Sequence, residues 1–407
     1  MTKLALTNSA EHTVASPTVG KALVFNKGFD YWLMGAAGSL LMIGLVMIAS
    51  ASIDIADIRN NNPLFYVLRH GSFLLIGLAA GFAVVNVPVQ WWMKSGWLLL
   101  ILSVGLLILV LIPGVGRTVN GSTRWIGFGS LNLQVSELAK LFLVAYMAGY
   151  LDRRREEVMA SWWGFIKPMI VMLIASFLLL MEPDFGATVV IASAILGMIF
   201  LSGAKVGQFS VLIVGCAVSA VALVFSQPYR LKRFTGYTDP WADPYGSGYQ
   251  LSQALIAFGR GEWTGVGLGN SVQKLFYLPE AHTDFVFAIF AEEFGVVGCI
   301  FVIMLFAVLV YRALKIGIKA ERANQRFAAY FAYGIGLLLG GQALINMGVN
   351  VGLLPTKGLT LPLVSYGGSS LLVSCMCIGV LIRINLERCQ LLDSNSDGQI
   401  SKGGSNE

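Results

Sequence analysis

Long apolar stretches separated by shorter polar ones run through almost the whole chain. Each is close to the roughly 20 apolar residues that an α-helix needs to cross a bilayer. They lie at residues 31–50, 67–87, 96–112, 135–150, 168–182, 185–203, 208–226, 285–311, 328–352 and 369–386. The pattern predicts an all-α polytopic membrane protein with about ten transmembrane helices and both termini on the same side of the membrane.

The basic residues between these stretches predict which side the termini occupy. Arg153, Arg154 and Arg155 crowd one short connection, and a second basic cluster runs from Arg312 to Arg326. Both clusters fall on the side of the termini, which the positive-inside rule makes cytoplasmic. The connections on the opposite side are therefore expected to face outward.

Three regions follow from this topology. We expect residues 1–30 to form a cytoplasmic N-terminal tail, 31–388 a transmembrane domain, and 389–407 a disordered cytoplasmic tail. The transmembrane domain includes a large outward loop, 227–284, between the seventh and eighth spans. Long connections are usually either functional or disordered, and the aromatic residues of this one favour a folded, catalytic loop.

The composition agrees with a membrane protein and narrows the chemistry. Of the 407 residues, 56% are hydrophobic and only 12% are charged. The net charge of +6 comes from short clusters between spans, so we exclude nucleic acid as a partner. The histidines and cysteines lack metal-ligand spacing, so no built-in metal site is predicted. A Mg²⁺ or Mn²⁺ ion held loosely by carboxylates and substrate phosphates stays open.

Asp284 closes the outward loop where the chain re-enters the membrane, at the end of the sequence Tyr277-Leu-Pro-Glu-Ala-His-Thr-Asp284. Partial loss of water there would raise the pKa of its carboxyl towards that of a useful general base. Alternatively, Thr283 or Asp284 caps the next helix by accepting hydrogen bonds from its first amides. Both interpretations stay open, and they do not exclude each other.

Other polar residues on the outward side are candidates for binding a phosphorylated substrate. Glu137 and Lys140 share one face of the fourth span, where they either pair or point together into a cavity. The remaining candidate substrate-binding residues are Arg124, Arg260, Lys274, His282 and Lys357. A single cation of this kind is more often simply solvated, and Lys357 lies in a turn that equally suits helix packing.

Several motifs closely resemble those of the SEDS family, named for shape, elongation, division and sporulation. They are Tyr277-Leu-Pro-Glu-Ala-His-Thr-Asp-Phe285, Gly267-Leu-Gly-Asn270, Pro355-Thr-Lys-Gly-Leu-Thr-Leu-Pro362 and Ser365-Tyr-Gly-Gly-Ser369. Around Arg124, Ser136, Glu182 and Gly246 the sequence is similar to that of the division member of Gram-negative bacteria rather than the elongation member. The resemblance covers nearly the whole chain.

The resemblance implies a peptidoglycan glycosyltransferase that polymerises lipid II into β-1,4 glycan strands at the division septum and releases undecaprenyl pyrophosphate. The essential aspartate of the family falls on Asp284. The resemblance also implies a multi-pass protein of the inner membrane whose active site faces the periplasm. Its partners would be a class B penicillin-binding protein, which supplies septal transpeptidation, and other divisome proteins.

Two other functions stay open. A lipid II flippase would also use many spans and an intramembrane pair such as Glu137 and Lys140. A noncatalytic divisome scaffold would use the basic cytoplasmic loops and tail as its binding surfaces. Neither a flippase nor a scaffold needs a loop carboxylate that acts as a base. The position of Asp284 therefore favours the polymerase function.

Overall fold

A computed structural model describes residues 28–119, 122–128, 131–225, 236–246, 248–355 and 358–403. Its helices are α1 (Tyr31–Asn60), α2 (Phe65–Val85), α3 (Val89–Lys94), α4 (Gly96–Leu111), α5 (Val135–Ala160), α6 (Trp162–Met181), α7 (Phe185–Leu201), α8 (Val206–Phe225), α9 (Tyr249–Gly261), α10 (Val286–Arg322), α11 (Arg326–Asn350) and α12 (Gly368–Gly403). Three strands, β1 (Gly116–Val119), β2 (Ser122–Phe128) and β3 (Leu131–Gln134), lie between α4 and α5.

Helices occupy every stretch predicted to span the membrane. Among the described residues, six helices are long and apolar enough to cross a bilayer: α1, α2, α6, α10, α11 and the part of α12 up to Leu392. Three further apolar segments, α4, α7 and Val206–Gly215 of α8, are shorter, and α5 carries charged residues along its length. The chain is therefore a mostly helical, multi-pass membrane protein.

Several helices, α1, α5, α10 and α12, extend well beyond the apolar stretches that predicted them. Hydropathy marks only the part of a helix that suits lipid, whereas a helix that has already formed adds further residues at little cost. The last helix, α12, accordingly continues to Gly403, so the tail that was expected to be disordered from residue 389 is helical over most of its length. Residues 1–27 of the predicted N-terminal tail lie outside the described residues.

The expectation of an all-α fold is wrong at one place. Residues predicted as an irregular outward connection form an antiparallel sheet in the order β1-β2-β3, in which Trp125 is the partner of both Arg117 and Gln134. β-branched and aromatic residues favour such strands, but averaging of hydropathy over a long window hides them. Because β3 leads directly into α5, the sheet fixes the first turn of that helix.

The centre of the helical bundle is α11, which packs against α5, α7 and α10 and has a largely buried surface. Around it, α2 packs mainly on α12, and α1 packs on α10. At the start of α1, Asp30 accepts a hydrogen bond from the amide of Leu33 and a second one, 2.9 Å long, from Arg312 Nε. The end of the bundle that carries the termini is thereby fixed to α10.

The helix α10 is interrupted at Gly295, where φ is 65°. The loop after α9 fits into the interruption through backbone hydrogen bonds that pair Val266 with Glu292, Gly267 with Glu293, Val296 with Glu262 and Val297 with Trp263. A Cβ at Gly295 would lie 2.5 Å from the backbone of Trp263, so only glycine fits. Because non-helical backbone within an apolar helix needs such partners, the loop and the first part of α10, up to Gly295, form one unit.

Candidate active site

Asp284 lies two residues before α10, and α11 holds its main-chain carbonyl. Asn346 Nδ2 donates to this carbonyl at 2.9 Å, and Asn350 Nδ2 donates to it at 3.0 Å. Asn350 Oδ1 in turn accepts a hydrogen bond of 3.1 Å from the amide of Ala288, in the first turn of α10. The two asparagines therefore fix the backbone of Asp284 against the centre of the bundle.

The helix-capping role proposed for Thr283 or Asp284 is wrong. The residue before α10 is Phe285, and no side chain caps the helix from that position. Thr283 Oγ1 donates to the carboxylate of Glu280 at 2.6 Å, while Asn350 satisfies the first turn of α10. No hydrogen bond joins the Asp284 carboxyl to another side chain or amide within the described part of the chain. Its oxygens remain available to a substrate.

The surroundings of the Asp284 carboxyl suit a base. Gly358 packs closely against it: a Cβ atom added to this glycine would lie only 3.2 Å from Asp284 Oδ2. The pKa of Asp284 is raised to about 7, chiefly by the resulting loss of hydration; the charges of Glu280 and Asp184 contribute to the rise, and that of Arg124 opposes it. A carboxyl with a pKa near 7 can both accept and release a proton at neutral pH.

Arg124, on β2, binds the turn between α6 and α7. Its Nε donates to the carbonyl of Glu182 at 3.3 Å, its Nη2 donates to the carbonyl of Pro183, and its Nη1 lies 3.7 Å from Asp184 Oδ1. Asp184 also caps α7 by accepting a hydrogen bond of 3.1 Å from the amide of Ala187. Among the predicted cations that the structure describes, Arg124 is the one whose charge acts on Asp284.

The side chain of Glu182 is fully buried, and neither of its carboxyl oxygens has a hydrogen-bond partner. The pKa of Glu182 is raised to about 8, chiefly by burial and also by the charge of Asp184, against the opposing charge of Arg124. The group is therefore mostly neutral at pH 7. As a result, it does not neutralise the positive charge of Arg124.

Glu137 and Lys140 form a buried ion pair, which decides between the two arrangements that their spacing allowed. Lys140 Nζ lies 2.8 Å from Glu137 Oε2 and donates to Gln342 Oε1 at 2.6 Å. Gln342 Nε2 donates in turn to the carbonyl of Thr360 at 3.0 Å. Lys140 is only 1% exposed, so these contacts occupy it within the protein and link α5 to α11.

Arg260 and Lys274 belong to a second cluster, built on two buried glutamates of α10. Arg260 Nη1 lies 3.0 Å from Glu292 Oε1, and Lys274 Nζ lies 3.2 Å from Glu293 Oε1. Lys274 Nζ also donates to Ser50 Oγ at 3.0 Å and to the carbonyl of Gly269 at 2.7 Å. The glutamates follow Asp284 by about 12 Å along the helix axis. We infer a structural role for both cations and assign no substrate contact to them.

His282 lies beside Asp284, between Tyr66, which the sequence did not single out, and Tyr366 of the Ser365-Tyr-Gly-Gly-Ser369 motif. Its ring centroid is 5.0 Å from that of Tyr66 and 5.6 Å from that of Tyr366. Burial lowers the pKa of His282, so its imidazole is neutral at pH 7. The last predicted site residue, Lys357, lies outside the described residues.

Asn346 and Asn350 belong to this site through a partner that the sequence did not identify, the backbone of Asp284. They are one helical turn apart, a pattern typical of polar contacts between membrane helices. Nothing in that spacing indicates that both amides bind the carbonyl of Asp284, which is more than 60 residues earlier in the chain. Within the described ranges, no three His, Cys, Asp or Glu side chains gather in a way that could hold a metal ion.

Comparison with known sequences finds close relatives over most of the chain. Residues 31–390 match the model of the cell cycle protein family FTSW_RODA_SPOVE. The chain is 61% identical over 358 residues to a protein of Hahella chejuensis, covering 88% of this chain and 90% of that one. It is 56% identical over 358 residues to a protein of Pseudomonas fluorescens, with 88% of each chain covered. Both are named probable peptidoglycan glycosyltransferase FtsW.

Solved structures share the fold. A chain of a peptidoglycan synthase complex that coordinates polymerization and crosslinking is 28% identical, with a TM-score of 0.73, covering 89% of this chain and 99% of that one. The rod shape determining protein RodA of Thermus thermophilus is 27% identical, with a TM-score of 0.67, covering 89% of this chain and 98% of that one.

Proposed function

Since this chain belongs to the family of cell cycle proteins named after FtsW, RodA and SpoVE, we infer that it is a peptidoglycan glycosyltransferase of the division type. The relatives that are 61% and 56% identical carry this activity in their names. The structural observation that supports this inference is the environment of Asp284. Its carboxyl has a pKa of about 7 and no side-chain hydrogen-bond partner among the described residues, while hydrogen bonds to its main-chain carbonyl fix its position.

The reaction we assign to Asp284 is removal of a proton from the acceptor sugar. The 4-hydroxyl of N-acetylglucosamine attacks C1 of the donor N-acetylmuramic acid, and Asp284 takes the proton as the new C–O bond forms. The bond from C1 to undecaprenyl pyrophosphate breaks, and inversion at C1 converts the α-linked donor into a β-1,4 linkage. The proton then leaves Asp284 for water before the next addition.

Arg124 is our candidate for stabilising the departing pyrophosphate. Guanidinium groups bind phosphate through paired, charge-assisted hydrogen bonds. Two of the present partners of Arg124 are neutral carbonyls, and the nearby Glu182 is mostly neutral at pH 7 because its pKa is about 8. Asp184 Oδ1, 3.7 Å from Arg124 Nη1, offsets part of this charge, so a pyrophosphate near the turn between α6 and α7 would share the guanidinium with that carboxylate. We assign no step to a divalent ion.

The resemblance supports a fuller placement of the enzyme in the cell. We propose ten spans, cytoplasmic termini, and an active site that faces the periplasm from the inner membrane at the division septum. A class B penicillin-binding protein is the proposed partner, in keeping with the peptidoglycan synthase complex among the structural neighbours. Lipid II is the proposed substrate.

Polymerisation of fluorescent lipid II tests this function. The purified chain is combined with a class B penicillin-binding protein in lipid nanodiscs, and the products are separated by gel electrophoresis. Glycan strands that appear only when the chain is present support the proposal. Lipid II that crosses vesicle membranes without forming polymer would indicate a flippase, and neither activity would indicate a scaffold.

The rate of polymerisation is expected to rise with pH through about 7, the pKa of Asp284. The base must be deprotonated, and burial holds the proton on it below that pH. Glu280→Gln removes a charge that raises the pKa of Asp284, so the rise should move to lower pH. Initial rates measured between pH 5.5 and pH 9 on both proteins check this, and an identical pH profile would contradict it.

Asn350→Ala is expected to lower the polymerisation rate about tenfold, because it removes two hydrogen bonds worth about 1 kcal/mol each that position Asp284 and α10. Asn385→Ala is a matched control, because Asn385 is another buried amide that donates to a main-chain carbonyl, that of Gly28. Rates are compared at equal amounts of folded protein. An unchanged rate per folded molecule in Asn350→Ala, as expected for Asn385→Ala, would mean that Asn350 contributes to stability alone.

A further inference from the structure

Three rings form a triangle next to Asp284. The triangle consists of Tyr66 from α2, His282 from the outward loop and Tyr366 from the segment before α12. The ring centroids are separated by 5.0 Å between Tyr66 and His282, 5.5 Å between the two tyrosines, and 5.6 Å between His282 and Tyr366. The amide of Tyr366 donates to the carbonyl of His282 at 3.0 Å. The triangle is thereby attached to the chain two residues before Asp284.

Two polar atoms at this triangle lack partners. His282 Nδ1 is buried without a hydrogen bond, and so is Nε2 of His70, whose ring lies 6.1 Å from that of Tyr366. His282 is 9% exposed and His70 is 1% exposed. Buried polar atoms in folded proteins nearly always have a partner, so each of these two imidazole nitrogens is an atom that a hydrogen-bonding group from outside would satisfy.

The chemistry of that group follows from the rings. A neutral imidazole offers one donor and one acceptor, which suits a hydroxyl or an amide rather than an anion. The two tyrosines are only half buried, and neither hydroxyl bonds to another residue that the structure describes. Aromatic rings with polar tips present an apolar surface together with hydrogen-bonding atoms. A sugar ring has the matching surface, because its C–H faces are apolar and its hydroxyls lie around the edge.

We propose that Tyr66, His282 and Tyr366 form the subsite for the acceptor N-acetylglucosamine ring, whose 4-hydroxyl then lies at Asp284. The proposal rests on the glycosyltransferase function and specifies which residues of that site recognise the sugar. His282 Nδ1 would bond a sugar hydroxyl or the N-acetyl group, and the tyrosine rings would cover one face of the sugar. The competing explanation is that the triangle only packs α2 against the loop.

Binding of the soluble disaccharide of N-acetylglucosamine and N-acetylmuramic acid tests the subsite without any chemistry. The full chain carrying Asp284→Asn is placed in nanodiscs, and binding is followed by saturation-transfer NMR on the N-acetyl methyl signals. Tyr66→Leu and Tyr366→Leu, added singly, are each expected to weaken the affinity about tenfold, because each removes a stacking ring. Tyr66→Phe and Tyr366→Phe keep the ring and should weaken the affinity for the disaccharide less than the leucine variants do.

Tyr277→Leu is the matched control, because Tyr277 is an exposed tyrosine of the same loop and should leave binding unchanged. In the catalytically competent chain, the leucine variants should raise the KM for lipid II more than they lower kcat. Equal affinity in the parent and the leucine variants would overturn the proposal, as would an absence of saturable binding to the parent. Failure of the unaltered chain to polymerise lipid II would instead overturn the function, since disaccharide binding is measured separately.

Discussion

Replacing Asp284 with asparagine is expected to lower lipid II polymerisation by about 10²–10⁴-fold, the contribution typical of a general base. Asparagine keeps the shape of the side chain but cannot accept the proton of the sugar hydroxyl. The backbone of the site should not move, because Asn346 and Asn350 bind the main-chain carbonyl of residue 284 and not its side chain. Strand formation is measured at matched amounts of protein in complex with the penicillin-binding partner.

The thermal stability of the Asp284→Asn variant, unlike its polymerisation rate, should not fall. The pKa of Asp284 is about 7 in the folded chain, against about 3.9 in an unfolded one. The folded state therefore holds the proton more tightly, and the stability that this contributes is lost as the pH rises through 7. At pH 8 Asp284→Asn removes a desolvated charge, so the melting temperature should stay the same or rise.

Asp57→Asn serves as the control for this experiment, because Asp57 is an exposed carboxylate near the end of α1 and should leave polymerisation unchanged. Polymer formed at the parental rate by Asp284→Asn would remove the general base from the mechanism. Loss of polymer together with a large fall in melting temperature would assign a structural role to Asp284 instead.

The sequence predicted those features that depend on neighbouring residues. Apolar runs of about 20 residues located the spans because burial in lipid imposes a requirement on each helix separately. Asp284 could be predicted as a base because its position, at the end of a polar loop and the start of a span, implies partial desolvation. The strands of 116–134 were missed because their alternation of residues is short and lies between much stronger hydropathy signals.

The contacts that distinguish one polar residue from another were not predictable in this way. Arg260 and Arg124 look alike in sequence, since both are cations in segments predicted to face outward. The fold pairs Arg260 with Glu292, which is 32 residues away, and places Arg124 at the turn before α7, where its charge acts on Asp284. Such pairings depend on how helices pack, and no local spacing encodes them.

Lys140→Met is expected to lower the free energy of unfolding by about 3–5 kcal/mol, the usual cost of removing one member of a buried ion pair. The variant leaves the carboxylate of Glu137 buried without its cation, which lies 2.8 Å away in the parent. It also removes the 2.6 Å hydrogen bond to Gln342. Thermal unfolding in detergent measures the loss, and polymerisation should fall with the amount of folded protein.

The double variant Glu137→Leu with Lys140→Met separates a structural ion pair from a substrate-binding one. Replacing both members of a buried pair with apolar residues is often neutral, so most of the stability should return. The recovery should be incomplete, because Gln342 still lacks its donor. If the pair only links α5 to α11, polymerisation recovers together with stability. If stability returns while polymerisation stays low, Lys140 acts on the substrate, and the contact between α5 and α11 is not its main role.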